Sequence, residues 1–163
     1  MKDKKQIYIL GIILFLIDQI LKRLVCSFMI LYEEKEIIPN FFSLLYVKNT
    51  GAAFSIFENN TFFLIIISIL FMIGVIFYIK RENYYTFLAK VSLGFLLGGI
   101  WGNLFDRIFY HGVIDYLSFR IFHYDFPIFN FADILITTGI ILFMLDTFFP
   151  KTKDKKVIKD ESL

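Results

Sequence analysis

Cysteine, histidine and proline are scarce in this chain, which has 1 Cys, 2 His and 3 Pro among its 163 residues. A single thiol, Cys26, excludes an intrachain disulfide framework and any Cys-rich metal site. His111 and His123 are scattered, and no HExxH pattern occurs, so a catalytic metal centre has no ligand set to draw on. No nucleophile-elbow pattern surrounds a serine; Ser43 or Ser55 would need Lys22 or Lys48 as base. Charge of one sign is also missing. Basic and acidic residues number 17 and 15, a formal net charge of +2. With no large basic block, nucleic acid is not an expected partner.

Apolar side chains are abundant. They make up 58% of the chain, aromatics 20%, with 22 Phe, and the mean hydropathy is +0.68. An ordinary soluble domain is about 45–50% apolar, and a fold of this size has too little interior to hide such an excess. Disordered chains lie at the opposite extreme. The expected class is a small integral membrane protein.

A membrane-spanning helix needs about 20 mostly apolar residues, and four stretches qualify: about 6–25, 62–79, 86–105 and 131–149, with Pro150 as a stop. The Lys-rich start followed by Ile7–Ile17 resembles a signal peptide. No small-residue cleavage site follows, so it reads as a retained first helix. Cys26 is not in a lipobox, because Leu24 and Val25 occupy positions that want small residues. The length predicts one unit over 1–150, followed by a Lys-rich tail, 151–163, expected to be disordered and cytoplasmic. Lys2, Lys4 and Lys5, then Lys80, Arg81 and Lys90, then the tail lysines all fall on one side. By the positive-inside rule that side is cytoplasmic, with both termini there. Segments 26–61 and 106–130 then face outward.

Those outer segments carry strand signals. FFSLLYV at 41–47 precedes the turn-like Asn49-Thr50-Gly51, and 113–126 alternates aromatic and polar residues as one or two short strands. Glu33, Glu34 and Glu36 read as a solvated patch. A small sheet with a surface helix on the outer membrane face is expected.

Ionisable groups inside a span are costly unless paired, hydrated or near an interface. Asp18 and Lys22 lie one turn apart near the outer end of the first span. Asn103, Asp106 and Arg107 close the third, Asn130 and Asp133 open the fourth, and Asp115 lies between them. Each has a bland reading: a helix pair with a snorkelling lysine, a helix cap, an interface residue. Asp146, at the other end, reads as structural, and His111 and His123 as interfacial hydrogen-bonding residues. Gly94, Gly98 and Gly102 read as a helix-packing face. The convergence of the polar groups at one depth is the signal. Asp115 and Asp133 are the natural reactive pair, since two carboxylates sharing a site cannot both ionise easily. One would activate water while the other, protonated, polarises a carbonyl, which is cofactor-free amide hydrolysis. Two other classes stay open. A transporter or channel subunit predicts ionisable residues spread through the bilayer depth, and spans two to four have none at mid-depth. A structural assembly factor predicts tolerance of changes at both aspartates.

The blocks DQILK at 18–22, NTGAAFS at 49–55, GGIWGNLFDR at 98–107, GVIDYLSFR at 112–120 and FNFAD at 129–133 resemble, in this order, those of the bacterial lipoprotein signal peptidases (signal peptidase II). The resemblance implies four transmembrane helices with a periplasmic β-cradle and a short interfacial helix. It implies cleavage of signal peptides from diacylglyceryl-modified prolipoproteins just before the lipidated cysteine, at the outer leaflet of the bacterial cell membrane. By motif the catalytic aspartates fall on Asp115 and Asp133. Asn49, Asn103 and Asn130 fall on positions that hydrogen-bond substrate or aspartate, and Arg107 on one that holds substrate carbonyls. Asp18, Lys22 and Asp106 fall on supporting positions. Membrane lipids and globomycin-type inhibitors are implied as further partners, and no metal or cofactor. Lys48 stands where the family often has Arg, losing bidentate geometry but keeping charge, and Trp101 fills a slot often held by a small residue.

Overall fold

A computed structural model of the chain describes residues 2–51 and 60–149. The elements run α1 (Lys2–Phe28), β1 (Glu34–Ile38), β2 (Phe42–Asn49), α2 (Thr61–Arg81), α3 (Phe87–Tyr110), β3 (Val113–Ile121), β4 (Tyr124–Asp125) and α4 (Phe131–Phe148). The tail 151–163 and Ser55 lie outside the described residues, and none of these elements is a short surface helix.

α2, α3 and α4 are each long and apolar enough to cross a membrane. α1 is longer, at 27 residues, but Asp18, Lys22 and Arg23 interrupt its apolar run. α3 packs against each of the other three helices. It is mostly buried, whereas α2 and α4 turn most of their residues outward. Exposed Ile12, Leu16, Ile20, Phe71, Phe77 and Ile141 would be costly in water. In a hydrocarbon solvent they are at home. α3 runs one turn past its expected end, so Asn103, Asp106 and Arg107 sit on its last two turns rather than closing it.

The glycines of α3 explain how close α1 comes. A Cβ on Gly94 would strike Leu10, and one on Gly98 would strike Leu14 and the carbonyl of Gly11. Without those methyl groups the two backbones meet in van der Waals contact, the small-residue packing used where lipid offers no hydrophobic drive. At the opposite end from the polar cluster, Ile7, Ile79, Tyr85, Ala89, Leu93 and Leu97 form an apolar core. Thr86 caps α3 by accepting the Ala89 N–H at 2.9 Å, and its hydroxyl donates to Asp146 near the end of α4. That contact gives Asp146 a structural task.

The four strands form one antiparallel sheet in the order β1-β2-β3-β4. The acidic patch lies partly in a strand: Glu34 and Glu36 belong to β1 and are exposed, as the sequence suggested for solvated carboxylates. β2 and β3 pair Leu44 with Leu117, then Val47 with Asp115 and Asn49 with Val113, with a bulge between. The extra residue in β2 reverses which side chains share a face. Without it Lys48 would stand opposite Val113. With it, Asn49 projects on the same face as Asp115. Phe129 bridges to Leu117, with N–H···O distances of 2.8 and 3.1 Å. This fastens the start of α4 beside β3.

Candidate active site

Three helices and two strands converge on the polar cluster. On α1, Asp18 and Lys22 are i,i+4 neighbours facing inward. On α3, Asn103, Asp106 and Arg107 follow the i,i+3,i+4 spacing that puts them on one face. α4 begins with a capping box: Asn130 Oδ1 accepts the Asp133 N–H, and Asp133 Oδ2 accepts the Asn130 N–H, both at 3.1 Å. β3 supplies Asp115.

The deepest layer is a buried charge cluster. Lys22 Nζ lies 2.9 Å from both Asp18 Oδ2 and Asp106 Oδ2, and all three side chains are essentially inaccessible. Asp18 Oδ1 accepts the Ala132 N–H at 3.0 Å, and Asp106 Oδ2 accepts the Ile114 N–H at 3.2 Å. The cluster therefore ties α1 and α3 to the first turn of α4 and the start of β3. Buried ions demand such satisfaction, because leaving one unpaired costs several kcal/mol. Among the described residues, no buried side-chain nitrogen or oxygen lacks a hydrogen-bond partner.

A layer of amides lies over it. Lys22 Nζ also donates to Asn103 Oδ1 at 3.1 Å, and Asn130 Nδ2 donates to the same oxygen at 3.2 Å. The Asn103 amide nitrogen is thereby turned to Asp133 Oδ1, 2.7 Å away. Asp115 receives two amides: Asn49 Nδ2 to Oδ2 at 2.9 Å and Asn130 Nδ2 to Oδ1 at 2.6 Å. Asn49 is oriented in turn by the Gly51 N–H, which donates to its Oδ1 at 2.9 Å.

Asp115 and Asp133 both line a cavity of about 480 Å³, together with Asn49, Asn103 and Arg107. Its remaining wall is largely apolar, from Phe126 and Phe129 to Ile134 and Ile136 of α4. Arg107 reaches toward the carbonyls of Asn103 and Gly51, each at 3.4 Å. Burial pushes the Asp115 carboxyl up to about 7, and the neighbouring Asp133 charge adds to the rise, while the Asn49 and Asn130 amides oppose it. A carboxyl that keeps its proton near neutrality beside a second carboxyl has the composition of an acid–base pair.

All nine residues singled out in the sequence are brought into one connected network: Asn49, Asn103, Arg107, Asp115 and Asp133 line the cavity, and Asn130, Asp18, Lys22 and Asp106 are buried behind it. Sequence reasoning passed over Gln19. Its Nε2 donates to Asp106 Oδ1 at 3.0 Å and to Asp18 Oδ2 at 3.3 Å. An amide beside Asp18 in an otherwise apolar span was the available signal. Thr137 and Thr138, also unremarked, line the cavity. Ser43 sits in β2 rather than at the cavity, and Lys22 is fully engaged by its three oxygen partners. Among the described residues, no group of three or more His, Cys, Asp or Glu side chains is placed to hold a metal ion.

The family model described as Signal peptidase (SPase) II matches residues 10–149, nearly the whole of the chain. The chain belongs to the signal peptidase II family. A curated relative from Symbiobacterium thermophilum, named "Lipoprotein signal peptidase", is 42% identical over 137 residues, covering 84% of this chain and 90% of the relative. Two solved structures are similar throughout. One, described as a bacterial membrane enzyme determined by the in meso method at 2.3 Å resolution, has a TM-score of 0.80 and 32% identity, covering 91% of this chain and 93% of the other. The second, a bacterial membrane enzyme at 1.9 Å resolution, has a TM-score of 0.77 and 30% identity, with 88% and 92% covered. The signal peptidase II fold here is thus mostly helical and membrane-embedded with a small antiparallel sheet, and its activity class is that of a peptidase.

Proposed function

We propose that this signal peptidase II is an aspartic endopeptidase, with Asp115 and Asp133 as its dyad. It cleaves the signal peptide from diacylglyceryl-modified prolipoproteins just before the lipidated cysteine, the maturation step of bacterial lipoproteins. The observation that carries the reading is the meeting of two carboxylates, from a strand and a helix start, at one largely apolar cavity, with burial raising the Asp115 carboxyl.

The mechanism follows from that asymmetry. The ionised carboxylate takes a proton from a water placed between the pair, and the water oxygen attacks the scissile carbonyl carbon. The protonated carboxyl donates to the carbonyl oxygen as charge develops there, and a proton then passes to the leaving amine. Asn49, Asn103 and Asn130 hold the two carboxylates, and Arg107, at the cavity wall, is placed to donate to substrate carbonyls. Globomycin-type inhibitors would occupy the same cavity.

α1 serves as the fourth span in this reading, within one unit over residues 1–150. Its charged pair is turned inward and fully buried, while Ile9, Ile12, Ile13, Leu16, Ile20 and Leu24 are turned outward. Four crossings put both termini in the cytoplasm and the cavity at the outer leaflet. There a diacylglyceryl group, gaining about 0.8 kcal/mol per buried CH₂, keeps the substrate cysteine at the depth of the site. Membrane lipids and lipidated prolipoproteins are the partners, and nucleic acid is not one.

The test is cleavage of a diacylglyceryl-modified prolipoprotein by purified protein. Asp115→Asn and Asp133→Asn should each lose at least about 100-fold, the lower end of what a positioned acid or base supplies, and a chelator should change nothing. Near-normal turnover by either variant refutes the dyad.

A further inference from the structure

The dyad reading leaves open why one carboxyl keeps the proton and the other the charge. Both aspartates accept two hydrogen bonds, so the count of donors does not separate them. Three features of their surroundings do. Asp115 is only 3% exposed, while Asp133 is half-buried at the cavity. Asp133 Oδ2 accepts a backbone N–H in the first turn of α4, where the helix dipole favours negative charge. Asp133 Oδ1 receives the Asn103 amide, and Lys22 bears on the far end of that amide.

The third feature uses a residue that touches neither the cavity nor either dyad member. The Lys22 ammonium is a donor only, so Asn103 must offer it Oδ1 and is left with Nδ2 pointing to Asp133. The same ammonium draws electron density toward Oδ1 and makes Nδ2–H a stronger donor, the cooperative effect of a hydrogen-bond chain. The field of Lys22 itself is offset at close range by Asp18 and Asp106, each 2.9 Å away. A small direct pull from Lys22 still reaches Asp115 and lowers it, outweighed by burial; toward Asp133 its influence travels through the amide.

We propose that Lys22 is a positioning residue for the reaction: by orienting and polarising Asn103 it holds Asp133 as the ionised member of the dyad and leaves the proton on Asp115. The inference rests on the dyad reading. The raised value of Asp115 accords with it. The charged and titratable groups around Asp133 are Asp115 and Tyr116 on β3, Arg107 and Asp106 on α3, and Lys22 and Asp18 on α1. Arg107 donates its hydrogen bonds to the Asn103 and Gly51 carbonyls and acts on Asp133 and Asp115 through its charge alone, so the Lys22–Asn103 chain is the hydrogen-bonded cationic link to Asp133.

The experiment is the pH dependence of kcat/KM for prolipoprotein cleavage, whose acidic limb reports formation of the singly ionised dyad. Lys22→Met alone strands two buried carboxylates, so the variant measured is Lys22→Met/Asp106→Asn, with its folding checked by thermal unfolding. The acidic limb should move up by about one pH unit, the worth of one charge-assisted hydrogen bond, giving about a tenfold loss below the limb. At higher pH the rate should return close to that of the native chain. Asn103→Ala keeps Lys22 paired with both carboxylates and is the second variant, its folding checked in the same way; it should move the limb the same way. Adding Lys22→Met/Asp106→Asn to Asn103→Ala should move it no further. A uniformly lowered profile with an unmoved limb, in either variant, overturns the inference and makes Lys22 purely structural. An additive shift in the combined variant overturns the route through Asn103. Failure of the native chain to cleave, or retention of activity by Asp133→Asn, is a separate result that sinks the dyad reading instead.

Discussion

A carboxyl held at about 7 in the folded chain, against an ordinary value of 3.8, makes stability depend on pH in a calculable direction. Below 3.8 the group is protonated in both states and contributes nothing. Between 3.8 and 7 the unfolded chain has released the proton that the folded chain retains, so stability falls as pH rises. Above 7 both forms are ionised, and the folded one bears the full cost of a charge that is nearly inaccessible to water. At 1.36 kcal/mol per pH unit, the loss from pH 4 to pH 8 is about 4 kcal/mol from this one group. The perturbation that isolates it is Asp115→Asn, which cannot ionise. Oδ1 and Oδ2 each face an amide donor, so the variant sets an NH₂ against one of them. That costs about 1–3 kcal/mol at every pH. The pH-independent cost cancels when slopes are compared. Thermal unfolding in detergent should show the native chain losing on the order of 10 °C relative to Asp115→Asn between pH 4 and 8, taking about 2–4 °C per kcal/mol at this size. Parallel curves for the two proteins would refute the argument that burial and the neighbouring charge hold the Asp115 proton.

Two glycines of the helices should behave oppositely. A Cβ on Gly102 would collide with the Asp18 carboxylate and lie 3.2 Å from the Ala132 Cβ, whereas one on Gly74 would meet nothing within 4 Å. Gly102→Ala should lower stability by about 1–3 kcal/mol and impair cleavage with it. Gly74→Ala should be neutral or gain up to about 1 kcal/mol from helix propensity; equal changes in unfolding temperature would contradict this packing. For orientation, Glu34→Cys and Asn83→Cys in a Cys26→Ala background should label differently with an impermeant thiol reagent on intact cells. Position 34 should react and position 83 should not, and the reverse pattern inverts the topology.

The helices were legible because each apolar run is close to the length that crosses a bilayer and the basic residues cluster between them. Their ends were less so: α3 continues through Asp106 and Arg107 because Asp106 pairs with Lys22 of α1 and Arg107 reaches the Gly51 carbonyl, something hydropathy does not register. β1 was read only as a patch of glutamates, since its five exposed residues lack alternation. Gln19 was overlooked because a single amide beside a charged pair carries little weight until the groups it bridges are seen together.

By itself the sequence determined the solvent of this protein and the identity of its candidate acids. The apolar excess allows no aqueous fold, and Asp115 and Asp133 stand in blocks whose resemblance named them. Only the tertiary structure decided how those acids are held. A one-residue bulge in β2 brings Asn49 rather than Lys48 to Asp115's face. A buried lysine shared by Asp18, Asp106 and Asn103 joins two helices, α1 and α3, that lie far apart in the chain. Composition and periodicity are sums over neighbours in sequence. Strand register and the pairing of buried charges are settled between distant segments, where a shift of one residue or one unsatisfied ion costs more than any local preference supplies.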